Sequence, residues 1–335
     1  METNEAIKMR PSNAQDFRTY LENSLRNPFT LDLSGLSLME VIRACIRAKS
    51  KRHPGYGKNA SCLVYNLALL EKQYRLSLMP VQVTDVFWGY FSDFCQCHGL
   101  KQSTILTVCN QLRSILSWAV KYNATVSPTY TDIGIRKPHS QEIALSADDV
   151  SRIAYFDIDR FYAGRRRDFR DTMRRVRDMF VLSCNLAQRH SDMVRIGPEC
   201  FERNIFRIVQ QKTGNIAVVD IDKYAIEAGT AYGILDRYGF TAPYKADIRN
   251  YNARLHKLMQ DVGLDDPVRL EERVNGRLVT RTAPRWQLIA SHTARRTFVT
   301  VNVMRGVNVH ALKRCTGHTD LRVFDSYIRD DIQNK

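Results

Sequence analysis

The spacing of apolar residues changes period along the chain, and the changes mark out its elements. From Ser37 the period is helical: Leu38, Val41, Ile42, Cys45 and Ile46 recur at three- and four-residue steps, the spacing of one helix face. Lys49 to Lys58 (KSKRHPGYGK) is basic and holds Pro and Gly, which predicts a loop. Further helices are predicted over 60–76, 83–97 and 103–121. The last is the clearest, with Ile105, Val108, Leu112, Ile115, Leu116 and Ala119 on one face. Four amphipathic helices with short joints make a small bundle. Residues 1–36 have weak periodicity and several turn formers, and read as an arm or irregular lead-in.

The pattern fades over 123–144, where two prolines, a glycine and Arg136-Lys137 predict a linker. A second domain, 145–335, opens where Ser146 and Asp149 fit a capping box. The period falls to two over Ile205–Val209 and Ile216–Ile221, joined by Gln210–Asn215. That is a β-hairpin with Lys212 near its tip. Helical patterns return after 224. The fold class expected is mainly α: a helical bundle over 37–122, then an α+β domain with a small antiparallel sheet.

Composition adds a partner. The chain has 335 residues, 50 Lys/Arg and 35 Asp/Glu, a formal charge of +15. The excess is +7 in residues 1–140 and +8 in 141–335, so both domains can face a polyanion. Arginines crowd 160–178, with Asp159, Asp168, Asp171 and Asp178 set beside and among them, a pattern that also suits a solvated, self-paired face. The polar start METNEAIKMRPSN lacks a signal-peptide core, and no long apolar run predicts a membrane span. Eight cysteines, several inside apolar runs, read as reduced core residues of a cytoplasmic protein. Cys95-Gln96-Cys97-His98 has no second Cys/His pair at finger spacing and reads as a helix end. No metal or cofactor is expected: there is no GxxxxGK[ST] loop and no carboxylate cluster suited to two magnesium ions.

The candidate chemistry lies in the second domain. Ser291-His292-Thr293-Ala294-Arg295 sets a His and an Arg three apart, with Ser291 or Thr293 as the predicted N-cap. On a helix these side chains share a face near its positive end, where an anion is at home. A short helix over about 308–315 stops at Gly317, His318 follows, and Tyr327 lies nine residues on. Alone, each is ordinary: a tyrosine on an amphipathic helix is most often packing, and a lysine at a hairpin tip is most often solvated.

Together, in order, these residues resemble the tyrosine recombinase (phage integrase) family. The first arginine box resembles Leu186-Ala187-Gln188-Arg189-His190-Ser191-Asp192; the hairpin lysine, Lys212; the second box, His292 to Arg295; the third, Thr316-Gly317-His318; and Tyr327 has the family's offset from that histidine. Ala187-Gln188 stands where many members have Thr-Gly, and Asp192 where Glu is common; Asp192 can still brace Arg189. The form of the motifs is similar to integrases and invertases of Bacteroidetes mobile elements.

The resemblance implies a DNA breaking-rejoining fold, a SAM-like core-binding domain over 37–122, and a clamp on double-stranded DNA. It implies site-specific recombination by four protomers on paired sites, through a covalent 3′-phosphotyrosine, with room for accessory DNA-bending proteins at the nucleoid. The catalytic set would be Arg189, Lys212, His292, Arg295, His318 and the nucleophile Tyr327, supported by Asp192. Arg165, Arg166, Arg167, Lys101, Arg113, Arg136 and Lys137 are the further cations expected on DNA. The rival readings are a type IB topoisomerase, which shares this chemistry, and a catalytically silent DNA-binding regulator.

Overall fold

The computed structural model describes residues 31–135, 143–274 and 277–318. The chain divides into two compact units, Met1–Pro138 with Arg273–Arg277, and His139–Glu272 with Leu278–Lys335.

In the first unit, helices α1 (Leu38–Ser50), α2 (Ser61–Tyr74), α3 (Asp85–Cys97) and α4 (Gln102–Ala119) stand close to where the apolar spacing predicts them. Ser37 opens α1 with a capping box: its hydroxyl accepts from Glu40 N, and the Glu40 carboxylate accepts from Ser37 N. Thr84 caps α3 by accepting from Phe87 N. The predicted faces are the buried ones. Val41, Ile42 and Cys45 share one core with Leu63, Trp88, Phe91 and the α4 stripe. Cys95 lies in that core and Cys97 ends α3. The loop after α1 contains one helical turn, Tyr56–Asn59. Beyond α4 the chain stays on the bundle: Ala124 and Ile133 are buried, and Asp85 N donates to Thr129. Residues 1–30 of the lead-in, and Arg136 and Lys137 of the linker, lie outside the described residues.

The second unit runs α5 (Ala147–Ala154), α6 (Arg167–Leu186), β1 (Phe201–Glu202), β2 (Ile205–Val209), β3 (Ile216–Asp220), α7 (Ala228–Arg237), α8 (Ile248–Asp261), β4 (Pro267–Val274), β5 (Arg277–Pro284), α9 (Ser291–Met304) and α10 (Val309–Thr316). Helix α6 is the axis; Met179 through Leu186 are all buried, and α5, α7, α8 and α9 pack on it. The predicted capping box forms at Ser146 and Asp149. Arg285 then grips Asp149 through bonds of 2.8 and 2.9 Å, tying the end of β5 to the start of α5.

Strands β1, β2 and β3 form an antiparallel sheet in that order, with Val209 opposite Ile216. This is the predicted hairpin, and Lys212 lies exposed in its loop. One expectation fails here. Pro267–Val274 and Arg277–Pro284 are a second two-stranded sheet, β4–β5, where a return to helix was expected after 224. Asn275-Gly276 stands between the two strands, the strongest short hairpin signal. Val268, Leu270 and Ala283 supply its inward positions.

The arginine-rich stretch is largely self-paired. Arg174 bonds Asp159 and Asp171 at 2.7 and 2.6 Å, while Arg177 and Arg237 share the buried Asp178. Arg165, Arg166 and Arg167 are exposed; Arg165 lies over the Phe169 ring, and Arg167 reaches Asp171 at 3.7 Å. In the first unit Lys101 is exposed at the start of α4, and Arg113 is half-buried on it.

Candidate active site

The site is built on three turns. The first follows α6. Ala187 takes a left-handed conformation, φ 60°, and is fully buried. A non-glycine residue there costs about 1 kcal/mol, and the conformation persists because the surroundings use it. Its carbonyl accepts from Arg295 Nη1 at 3.0 Å. The same turn delivers Gln188 inward and Arg189 to a cleft.

The second turn is the β2–β3 loop. Gln210 N donates to Asn215 O, Gly214 N to Gln210 O, and Gly214 supplies the left-handed φ of 69° that closes it. The third ends α10. Gly317, at φ 65°, stops the helix, and His318 N bonds back to Lys313 O.

Hydrogen bonds fasten the three turns together. Asp192 accepts from Gln211 N at 2.8 Å, and Asn215 Nδ2 donates to Gly317 O at 3.0 Å. The Gln210 side chain stands at the centre. Its oxygen accepts from Arg189 Nη1 at 2.7 Å. Its nitrogen donates to Gln188 Oε1 at 2.9 Å and to Thr316 O at 2.8 Å. Gln188 Nε2 in turn donates to the carbonyls of Leu186 and Cys315.

Helix α9 brings the second arginine. The helix begins at Ser291 with Ala290 as N-cap, not Ser291 or Thr293 as expected. Thr293 acts from the third position, its hydroxyl accepting from Ala290 N, while Ser291 N is satisfied by Asn252. Arg295 is fully buried in the core of the site. Its Nη2 donates to Thr316 O at 2.5 Å and lies 3.0 and 3.2 Å from the two ring nitrogens of His318. A point near-equidistant from both nitrogens cannot lie in the ring plane without striking the carbon between them. The guanidinium therefore sits over the imidazole face. Thr316 Oγ1 is 2.9 Å from His318 Nδ1 and fixes the ring.

His292 joins Arg189 in lining a cleft of about 630 Å³, with Ser191, Arg195, Gln211, Asp247 and Ile248 also on its walls. His292 is exposed to solvent on one side; the protein crowded around the rest of its ring, then the charges of Arg295, Arg189 and Lys212, hold the imidazole down to about 4. His318 is held down to about 3 by burial, then Arg295, Arg189 and His292. Both rings are thus neutral near pH 7, and each can accept a proton. The charges of Arg189 and Arg295 thus act on both imidazoles, and that of Lys212 on His292. The arrangement can hold a tetrahedral anion between cations, with neutral imidazoles beside it.

Asp192 does not brace Arg189 as expected. It is fully buried, and its partners are Gln211 N and, at 3.4 Å, Arg195. It braces the hairpin, because the turn at Arg189 directs Asp192 toward the β2–β3 loop. Arg189 is held by an amide, Gln210, which the sequence reading had not singled out. A signal was available: Phe206, Ile208 and Gln210 continue one inward alternation, and all are buried. A polar residue at an inward strand position needs internal partners. Tyr327 lies outside the described residues; His318 is the last of them.

No family profile and no curated protein sequence matches the chain. Solved structures do. A lambda integrase tetramer bound to a Holliday junction is similar at TM-score 0.60 and 12% identity, over 94% of this chain and 86% of that one. XerH site-specific recombinase bound to its difH substrate matches at TM-score 0.56 and 12% identity, over 97% and 89%. The Tn1549 transposon integrase, in complex with a circular intermediate DNA, matches at TM-score 0.59 and 13% identity, over 90% and 100%. At these identities the likeness is one of architecture, and it spans both units: the chain has the fold of the tyrosine recombinases.

Proposed function

We propose that this protein is a tyrosine-type site-specific DNA recombinase, and that residues 145–335 are its catalytic domain and 37–122 its core-binding domain. One observation carries the reading. Two arginines, two imidazoles and the Lys212 hairpin converge, and the described bond of the Arg189 guanidinium goes to an uncharged acceptor, the Gln210 amide oxygen. The charge of Arg189 stays available for a phosphodiester.

In this reading, Arg189 and Arg295 bind the non-bridging oxygens of the scissile phosphate and stabilise the charge that builds there. Tyr327 attacks phosphorus through its phenol oxygen, and its proton passes to His292 or His318. The P–O5′ bond breaks, and Lys212 gives a proton to the leaving 5′ oxygen. The product is a 3′-phosphotyrosine, which keeps the energy of the broken bond, so rejoining needs no nucleotide and the enzyme needs no cofactor. Four protomers act on paired duplex sites. Lys101, Arg113, Arg136, Lys137 and Arg165 to Arg167 contribute phosphate contacts. The protein works in the cytoplasm, on the nucleoid; among the described residues no helix is long and apolar enough to cross a membrane.

The test is covalent trapping. Nicked duplexes of randomised sequence are incubated with the full chain, quenched in SDS, and the protein-linked DNA is sequenced. The proposal expects an SDS-resistant adduct with a recoverable site, and a rate about 10²–10³-fold lower for Arg189→Ala, the usual loss when one stabilising donor is removed. Duplex binding without any adduct would leave a silent DNA-binding protein. Relaxation of plasmid by a monomer, with no exchange between two sites, would assign a topoisomerase.

A further inference from the structure

The residue that holds Arg189 is uncharged, and this is the feature of the site least explained by folding alone. A buried or half-buried arginine is ordinarily paired with a carboxylate. A carboxylate is close by in sequence at Asp192, yet it is turned to the hairpin. Arg189 instead meets Gln210, which is 1% exposed, and Gln210 meets Gln188, also 1% exposed.

Every polar atom of the two amides is engaged. Gln210 Oε1 accepts from Arg189 and from Thr213 Oγ1; Gln210 Nε2 donates to Gln188 and to Thr316 O. Gln188 Nε2 reaches Leu186 O and Cys315 O. The relay ends on backbone carbonyls at the close of α6 and α10, two rigid points of the unit. An amide fixed at both ends cannot swing away, so Arg189 is offered a stationary acceptor. Gly317 keeps the place open: a Cβ there would lie 2.8 Å from the Gln210 amide carbon.

We propose that Gln210 is a positioning residue. With Gln188 it forms a neutral amide relay that fixes the Arg189 guanidinium for an incoming phosphodiester without cancelling its charge. This rests on the recombinase reading for its catalytic consequence, but not for the hold itself. Because Gln210 is also the first residue of the Lys212 loop, the relay sets Arg189, the Lys212 hairpin and the Gly317-His318 turn in one register.

The experiment uses the full chain and two substitutions. Gln210→Met keeps the volume and removes the acceptor. Gln210→Glu keeps an acceptor for Arg189 but adds a negative charge. The first readout needs no DNA: the side-chain nitrogen resonances of Arg189, labelled with ¹⁵N and assigned by their loss in Arg189→Lys. A held guanidinium rotates slowly and gives separate terminal nitrogen signals. These are expected in wild type and in Gln210→Glu, and averaged in Gln210→Met. If Gln210→Met leaves them separate, the hold is elsewhere and the proposal is overturned.

The second readout is the rate of adduct formation on a trapped duplex at saturating DNA. Both variants are expected to bind that duplex within about 3-fold of wild type and to form adduct at least about 30-fold more slowly, a loss in rate and not in affinity. In an Arg189→Lys background, adding Gln210→Met should change the rate by less than about 3-fold, because the two residues act as a unit. Independent, multiplicative losses would overturn positioning through Arg189, and wild-type rates in Gln210→Glu would overturn the need for neutrality. If wild type forms no adduct on any duplex, the recombinase reading fails while the resonance test still decides whether Gln210 holds Arg189.

Discussion

Gly317→Ala offers a quantitative test of how closely the third turn packs on the relay. Two costs can be separated. Gly317 sits at φ 65°, and a side chain in that conformation costs about 1 kcal/mol. The new Cβ would also lie 2.8 Å from Gln210 Cδ and Oε1 and 2.9 Å from Nε2, closer than real Cβ contacts. Gln210 must move. In moving it gives up the bond to Arg189, worth about 1.5–3 kcal/mol as a bond to a charged group. The total is about 2.5–4 kcal/mol.

Gly306→Ala is the matched control. That glycine also has a positive φ, 78°, but nothing lies within 4 Å of its Cβ position, so only the backbone cost of about 1 kcal/mol applies. Urea unfolding of both variants, with hydrogen exchange followed on peptides from β2, β3 and α10, reads the difference in this unit. Gly317→Ala should be the more destabilised by about 1.5–3 kcal/mol, with exchange raised selectively over 210–215. Equal costs for the two substitutions would refute the packing of Gly317 on Gln210.

Other consequences follow from the charges. The two histidines are depressed from the usual 6.5 to about 4 and about 3, so below pH 6.5 the unfolded chain binds protons that the folded one does not. Stability should therefore fall as pH drops from about 6.5 toward 4; His318→Gln should flatten that slope in denaturant melts, and an unchanged slope would contradict the depressed value. Asp178 is buried and holds Arg177, Arg237 and the Tyr238 hydroxyl; Asp178→Ala should cost about 3–5 kcal/mol by stranding its partners, read as a drop in unfolding midpoint. Asp192→Ala should leave the Arg189 guanidinium resonances separate but speed exchange at Gln211 N, whose bond it removes; averaged Arg189 signals would restore Asp192 as the brace.

Much of this was legible in the sequence, and the exceptions have physical causes. The bundle could be read because each helix is half-buried, so its apolar face repeats at helical spacing. Helix α9 could not be read that way: Ser291 and Thr293 to Asn302 are all buried, so arginines, threonines and valines alike face protein. Its place was found only from the spacing of His292 and Arg295. The hairpin β4–β5 was missed although Asn275-Gly276 marks it, because its strands carry many charges and few apolar residues. Asp192 was misassigned because a three-residue offset suggests a helical neighbour, whereas the chain there makes a single turn after a left-handed Ala187. Gln210 depends on partners from two distant segments, Gln188-Arg189 and Thr316-Gly317, and no local pattern encodes those.

The central claim is that Tyr327 becomes joined to DNA. Trypsin cuts after Arg322 and Arg329, so Val323–Arg329 is a peptide with Tyr327 as its one tyrosine. Mass spectrometry of the trapped adduct, after nuclease digestion, should find that peptide carrying a 3′-phosphonucleotide on Tyr327, and Tyr327→Phe should form no adduct. A nucleotide on any other residue, or an adduct that survives Tyr327→Phe, would contradict the account.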